Sequence, residues 1–114
     1  MLRKLKRLIA AASLALALPM AAAAKDTLTG YTYDSFTAEF GPGPAIKTAF
    51  EAECDCILNW VALDSSIGIL SRLQLEGDDT KADIALGLDL NTLVTAKETG
   101  LFATHDIATS NLDL

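Results

Sequence analysis

The sequence predicts an α/β fold built on a mostly parallel sheet, with elements in the order β-α-β-α-β-α. Apolar runs occur at residues 28–33, 57–63 and 82–88, and a segment with helix-start residues follows each of them. Alternating strands and helices form parallel sheets with helices on both faces and right-handed crossovers. Ligands of such sheets collect at the carboxyl ends of the strands, where we therefore expect the functional residues.

The first strand is predicted at residues 28–33, "LTGYTY", and a loop from Tyr33 to Ser35 follows it. Pro44 suits the first turn of a helix, where its missing N–H has no partner to lose. An apolar face made by Ile46, Ala49 and Phe50 then carries this helix to about residue 53. The "GPGP" stretch marks the helix start and is not a phosphate cradle, because proline removes the N–H donors.

The second strand is predicted at residues 57–63, "ILNWVAL", whose continuous apolar run is typical of a strand covered on both faces. Trp60 is expected in the core. "DSS" at residues 64–66 is a helix N-cap signature, and Gly77 stops that helix. The third strand, 82–88, precedes a helix that Asp89 or Asn91 caps and that ends at residue 100.

Charge is unevenly distributed along the 114 residues, a length that suits one domain. The first 24 residues carry four basic side chains and no acidic one, whereas the rest has five basic and fifteen acidic side chains. The formal charge of residues 25–114 is therefore −10. Because nucleic-acid binding needs clustered Lys and Arg, we predict no nucleic-acid partner; the acidity suits a cationic ligand.

Residues 1–24 are predicted to be a cleaved secretory signal peptide, with a basic start, an apolar middle and a run of alanines before Lys25. The alternative is a membrane anchor, but Pro19 interrupts an apolar stretch that is marginal against the ~20 residues a bilayer requires. We therefore expect residues 25–114 to work outside the cytoplasm.

The two cysteines, Cys54 and Cys56, are separated by one residue. An oxidising compartment favours a disulfide between them, as a local structural staple. Two thiols and the single His105 are too few for a tetrahedral zinc site, so we predict no metal. Redox chemistry is the other alternative, but the usual CxxC context is absent.

Five residues at the predicted strand-to-helix corners are candidates for ligand binding. Tyr33 could stack on a ring, and Asp34 could pair with a cation. Ser65 and Ser66 open a helix, where unpaired N–H groups and the helix dipole favour an anion. Asp89 opens the next helix. Each has a structural alternative: strand-end packing for Tyr33, a turn for Asp34, and helix capping for Ser65, Ser66 and Asp89.

Catalysis has no support in the sequence, so the protein is predicted not to be an enzyme. No G-x-S-x-G elbow, phosphate-binding Gly-rich loop or H-E-x-x-H motif occurs. His105 lacks a partner pattern and is expected in an exposed loop.

Several segments together are specific: "YTYDSF" with "GPGP", the C-x-C pair, "KADIALGLDLN" and "TGLFA". They closely resemble the mature N-terminus of the periplasmic thiamine-binding proteins over residues 25–105. The resemblance implies the N-terminal lobe of a type II periplasmic binding protein, which closes over its ligand with a second lobe. Because a complete member is roughly three times as long, as two lobes of ordinary domain size require, residues 25–114 are expected to be a truncated first lobe.

The resemblance also implies a function and partners. The ligand is thiamine, thiamine monophosphate or thiamine diphosphate, with no cofactor, and the partners are the inner-membrane permease and ATPase of an ABC importer. The protein is predicted to be a periplasmic monomer. Tyr33 matches the family's tyrosine near the thiamine rings, and Cys54 and Cys56 match its cysteine pair. Ser65 and Ser66 replace an acidic residue and a glycine that contact phosphate, so Ser66 lacks the backbone freedom of glycine.

Two alternatives stay open at this point. The same fold could bind another small ligand, such as iron, a polyamine or a sugar phosphate. The chain could also be a non-functional secreted fragment, since one lobe leaves one side of a ligand in water.

Overall fold

The computed structural model describes residues 23–108 and residue 110. The signal peptide predicted for residues 1–24 lies, except for Ala23 and Ala24, outside the described residues. Within them, no helix has the length and apolar composition that crossing a membrane requires.

The elements follow the predicted alternation of strands and helices. The strands are β1 (Thr27–Tyr33), β2 (Ile57–Leu63) and β3 (Ile84–Ala85). The helices are α1 (Asp34–Thr37), α2 (Gly43–Cys54), α3 (Ser66–Glu76) and α4 (Leu90–Glu98), and a 3₁₀ turn spans Gly77–Asp79. All strand pairs are parallel and the order is β2-β1-β3, so the predicted α/β class is confirmed.

Local chemistry accounts for most of the element boundaries. The Oγ of Ser65 accepts a hydrogen bond from the Gly68 N–H at 3.0 Å and caps α3. Gly77 ends α3 with a φ of 53°, a value that glycine adopts without strain. Asp89, one of the two predicted caps, caps α4.

Four predictions about local structure were wrong. Asp34 and Ser35 do not lie in a loop, because α1 begins directly after β1. The third strand has two residues instead of seven, because only Ile84 and Ala85 pair with β1. β2 is covered only in part, and not fully on both faces as predicted, since Ile57 is 43% exposed whereas Leu58 is 3% exposed. Trp60 is half-buried, with its Nε1 donating to the Gly43 carbonyl at 3.2 Å.

Helices pack on both faces of β1, because successive strand residues point to opposite sides. Tyr31 lies on one face, in a buried cluster with Ile69 and Leu73 of α3. Gly30 lies on the other face, directly against the Trp60 ring, and that ring packs edge-to-face on Phe36 of α1 at 5.3 Å. The cluster of Tyr31, Ile69 and Leu73 is the buried core, and the contacts of the Trp60 ring cover the opposite face of β1.

A polar cluster ties the end of α3 to β1. The Tyr31 hydroxyl, on a side chain that is 1% exposed, donates to Glu76 Oε2 at 2.8 Å. Arg72 Nε donates to Glu76 Oε1 at 2.8 Å and its guanidinium lies 4.8 Å from the Tyr31 ring centre. Thr80 Oγ1 donates to Glu76 Oε2 at 2.9 Å. The hydrogen bond from Arg72 is the main reason that the pKa of Glu76 is lowered.

Candidate functional site

The ends of β1 and β2 place the first two predicted corners side by side. Tyr33, the last residue of β1, is paired in register with Leu63, the last residue of β2. Asp34 therefore begins α1 next to the Asp64–Ser66 corner that begins α3. Parallel strands bring their carboxyl ends to one edge of the sheet, as the sequence predicted.

The third corner is joined to the second by hydrogen bonds of Ser66. Its Oγ accepts from the Asp89 N–H at 3.0 Å. The same oxygen lies 3.0 Å from Thr92 Oγ1. Ser66 thereby holds the beginnings of α3 and α4 together, although their residues are 23 positions apart in the chain.

Tyr33 connects the first corner to the third by packing. Its ring meets Phe36 edge-to-face, with 5.9 Å between ring centres. A Cβ atom added at Gly87 would lie 2.5 Å from two carbons of the Tyr33 ring, so only glycine fits beside this ring. The Tyr33 ring is half-buried, and its hydroxyl makes no hydrogen bond to any described residue. Part of the ring is thus engaged in structural packing.

Asp89 and Ser65 perform the capping roles that were their structural alternatives. Asp89 Oδ1 accepts from the N–H groups of Asn91 at 2.9 Å and Thr92 at 3.0 Å. The hydrogen bond from the Thr92 N–H is the largest cause of the lowered pKa of Asp89. Ser65 Oγ accepts from Gly68 and also donates to Asp64 Oδ1 at 3.1 Å.

The start of α3 retains donors for an anion but already holds a carboxylate. The N–H groups of Ser66 and Ile67 belong to the first turn, whose N–H groups have no partner within a helix. Asp64 Oδ1 lies over Gly68, where an added Cβ would approach it to 2.2 Å. This carboxylate offsets part of the positive charge at the start of the helix.

A surface hollow of about 250 Å³ adjoins the first corner and is lined by Asp34, Ser35, Ala38 and Phe40. Asp34 is exposed, and its Oδ1 accepts from the Ser35 N–H at 2.7 Å. Phe40 is 88% exposed, an unusual position for an aromatic side chain. Phe40 was not among the residues predicted from the sequence. The signal available for it was an aromatic residue directly before a Gly-Pro loop, beside the Asp34 corner.

A larger cavity of about 470 Å³ lies elsewhere, between β3, Leu73 and residues 101–107. It contains none of the five predicted site residues, and its lining includes His105, which is exposed as predicted. The convergent polar groups lie at the carboxyl edge, so we place the candidate site there and not in this cavity.

The two cysteines form the predicted disulfide, which closes the turn between α2 and β2. Asp55 between them has a φ of 51°, in the left-handed region. This turn precedes β2, so it lies at the end of the sheet opposite the candidate site. The described residues contain no group of three or more metal-ligating side chains.

Comparison with known proteins gives consistent matches. The chain is 55% identical over 85 residues to the thiamine-binding periplasmic protein of Escherichia coli K12, covering 75% of this chain and 26% of the relative. It is 54% identical over 92 residues to the protein of the same name from Brucella suis, covering 81% of this chain and 28% of the relative. No protein-family profile matches the chain.

A solved structure named "Periplasmic thiamin binding protein" matches with a TM-score of 0.70 and 55% identity, over 74% of this chain and 26% of that chain. This chain is a homologue of the periplasmic thiamine-binding proteins. It spans about a quarter of the length of the curated relatives that it matches. The α/β arrangement around the candidate site is therefore the arrangement found in one part of a thiamine-binding homologue.

Proposed function

We propose that this chain binds thiamine and its phosphates, as one wall of the ligand site of a periplasmic solute-binding protein. The observation that carries the proposal is the meeting of three strand-to-helix corners at one sheet edge, in a chain 55% identical to part of a thiamine-binding protein. The remaining length, about three quarters of each relative, supplies the facing wall in this proposal.

The residues at this edge suit the chemistry of thiamine. The Tyr33 ring and the exposed Phe40 ring offer aromatic surfaces to a cationic heterocycle, and Asp34 offers a negative charge beside them. The first-turn N–H groups of Ser66 and Ile67 offer donors to a phosphate. The Asp64 carboxylate opposes a phosphate and favours a cation, so thiamine itself should bind better than thiamine diphosphate.

The proposed role is transport without chemistry on the ligand. A periplasmic binding protein of an ABC importer delivers its ligand to an inner-membrane permease driven by an ATPase. Binding is non-covalent and requires no cofactor, and the relatives are named as binding proteins.

The proposal is tested by a chimera in which the matched 85 residues of this chain replace the corresponding part of the Escherichia coli relative. Isothermal calorimetry with thiamine should show saturable binding with one site. Absence of binding by a folded chimera would refute the proposal. Stronger binding of iron, a polyamine or a sugar phosphate would redirect it to another ligand.

A pair of charge-matched variants locates the site within the chimera. Asp34→Asn should weaken thiamine binding about 3- to 10-fold, because a charge-assisted contact is lost in a partly closed site. Asp78→Asn removes the same charge from the turn after α3, at the opposite edge, and should leave binding unchanged. Equal effects of the two variants would show that the acidic charge acts at long range and that Asp34 makes no contact.

A further inference from the structure

β2 is an edge strand of the sheet formed by the described residues. The Ile57 N–H donates to the Asp26 carbonyl on the β1 side. Since hydrogen-bonding groups of a parallel strand alternate in direction, Leu58, Trp60 and Ala62 direct their backbone groups to the free side. A free edge of this kind is a template for pairing with another chain.

The composition of β2 makes self-pairing a hazard. Its seven residues, "ILNWVAL", include no charged residue, no proline and no glycine. Segments of this length that are apolar, uncharged and rich in β-branched or aromatic residues are typical of strands that stack on copies of themselves. The relevant occupant of the free edge is therefore β2 of a second copy of this chain.

Two side chains of α2 occupy the free edge at Leu58. Glu51 Oε1 accepts from the Leu58 N–H at 2.8 Å, and Lys47 Nζ donates to the Leu58 carbonyl. Lys47 and Glu51 also bond to each other at 2.5 Å. One ion pair thus binds both the backbone N–H and the backbone carbonyl that Leu58 directs to the free edge.

The other ion pair between residues four apart on a described helix does not bind the backbone of a strand. Arg72 and Glu76 form the comparable pair on α3, and Glu76 is bound by the side chains of Tyr31 and Thr80 instead of a strand peptide. With Leu58 occupied, only Trp60 and Ala62 could pair with an incoming strand, too few residues for a stable ladder.

We propose that Lys47 and Glu51 form an edge cap that prevents β2 from pairing with β2 of a second copy. The cap works by occupying hydrogen-bonding positions, and it does not depend on the ligand or on the candidate site. Its loss leaves a seven-residue apolar edge open to association.

The test compares the purified 114-residue chain with the double variant Lys47→Ala/Glu51→Ala by sedimentation velocity over a range of concentrations. The double variant should associate at concentrations at least about tenfold below those at which the wild-type chain does so. The control is Lys25→Ala/Asp55→Asn, which removes another ion pair, of 2.6 Å, with the same net change in charge and without touching a strand peptide. Asparagine is used at Asp55 because it tolerates the left-handed backbone there.

Amide hydrogen exchange identifies the associating surface. In the associated variant, the amides of Leu58, Trp60 and Ala62 should become protected, whereas in its monomer the Leu58 amide should exchange about tenfold faster than in the wild type. A folded double variant that stays monomeric like the control overturns the proposal. Association that leaves these three amides unprotected overturns it as well.

Glu51→Asp provides a second variant should the double variant fail to fold. It keeps the charge and shortens the side chain by one methylene, which withdraws the acceptor from Leu58. Greater association than in Glu51→Gln, which keeps an acceptor at the original length, supports the edge cap. Equal association of these two single variants contradicts it.

Discussion

Replacing Gly87 with alanine tests whether the first and third corners of the candidate site are in contact. The added Cβ would lie 2.5 Å from the Cδ1 and Cε1 atoms of Tyr33. Carbon atoms rest at about 3.5–4.0 Å, so the ring or the corner must move by about 1 Å. Overpacking of this size costs about 1–3 kcal/mol of the free energy of unfolding.

The backbone contributes a second cost that must be separated from the contact. The φ of Gly87 is 98°, and an alanine with positive φ is strained by about 1–2 kcal/mol. Gly100→Ala is the control, because Gly100 also has positive φ, 69°, while an added Cβ there meets nothing within 4 Å. Both variants also gain about 0.4–1 kcal/mol from a stiffer unfolded chain.

The expected result is that Gly87→Ala lowers the free energy of unfolding by about 1–3 kcal/mol more than Gly100→Ala. Urea unfolding followed by the fluorescence of Trp60, the only tryptophan, measures both. Trp60 packs on Phe36, which in turn contacts Tyr33, so the probe is close to the perturbed ring. Equal destabilisation by the two alanines, within about 0.5 kcal/mol, would refute the contact between Tyr33 and Gly87.

Three further predictions concern the core and the cluster that ties α3 to β1. Tyr31→Phe removes the hydrogen bond to Glu76 and should lower the free energy of unfolding, measured in urea, by about 1 kcal/mol. An unchanged free energy of unfolding would contradict a stabilising role of this hydrogen bond. Hydrogen bonding, chiefly from Arg72, lowers the pKa of Glu76 below its ordinary value of 4.5. The ionised Glu76 therefore stabilises the folded state fully above pH 4.5, and this stabilisation is lost as the pH falls through the lowered pKa. Glu76→Gln should therefore flatten the acid side of a plot of urea midpoint against pH, and an unchanged slope would contradict this. Ile69→Ala at a fully buried position should cost about 2–5 kcal/mol, whereas Val94→Ala at a 65% exposed position should change stability by less than about 0.5 kcal/mol.

The positions of most elements were predictable because they depend on neighbours in the sequence. The predicted strand 57–63 matches Ile57–Leu63, and the predicted stop at Gly77 is the end of α3. Capping by Ser65 and Asp89 follows from side-chain oxygens that reach N–H groups two or three residues later. The errors fall where tertiary pairing decides: β3 is short because only two of its residues pair with β1.

The candidate site was predictable as a location and only partly as a set of contacts. The rule that ligands bind at the carboxyl edge of a parallel sheet selected the three corners, and the structure brings them together. Phe40 was missed because no periodic pattern marks an exposed aromatic residue in a turn. The ligand contacts of Tyr33, Asp34, Ser65, Ser66 and Asp89 stay predictions.

The sequence by itself determined the α/β class, the order of the three strands and of α2, α3 and α4, the caps and the disulfide, because each depends on local spacing and residue chemistry. Only the tertiary structure decided the strand order β2-β1-β3, the bridge from Ser66 to Asp89, the contact of Tyr33 with Gly87 and the capping of Leu58 by Lys47 and Glu51. The physical reason is that these features join residues through the register and order of the sheet. A strand's own residues specify which face is apolar but not which neighbour lies beside it.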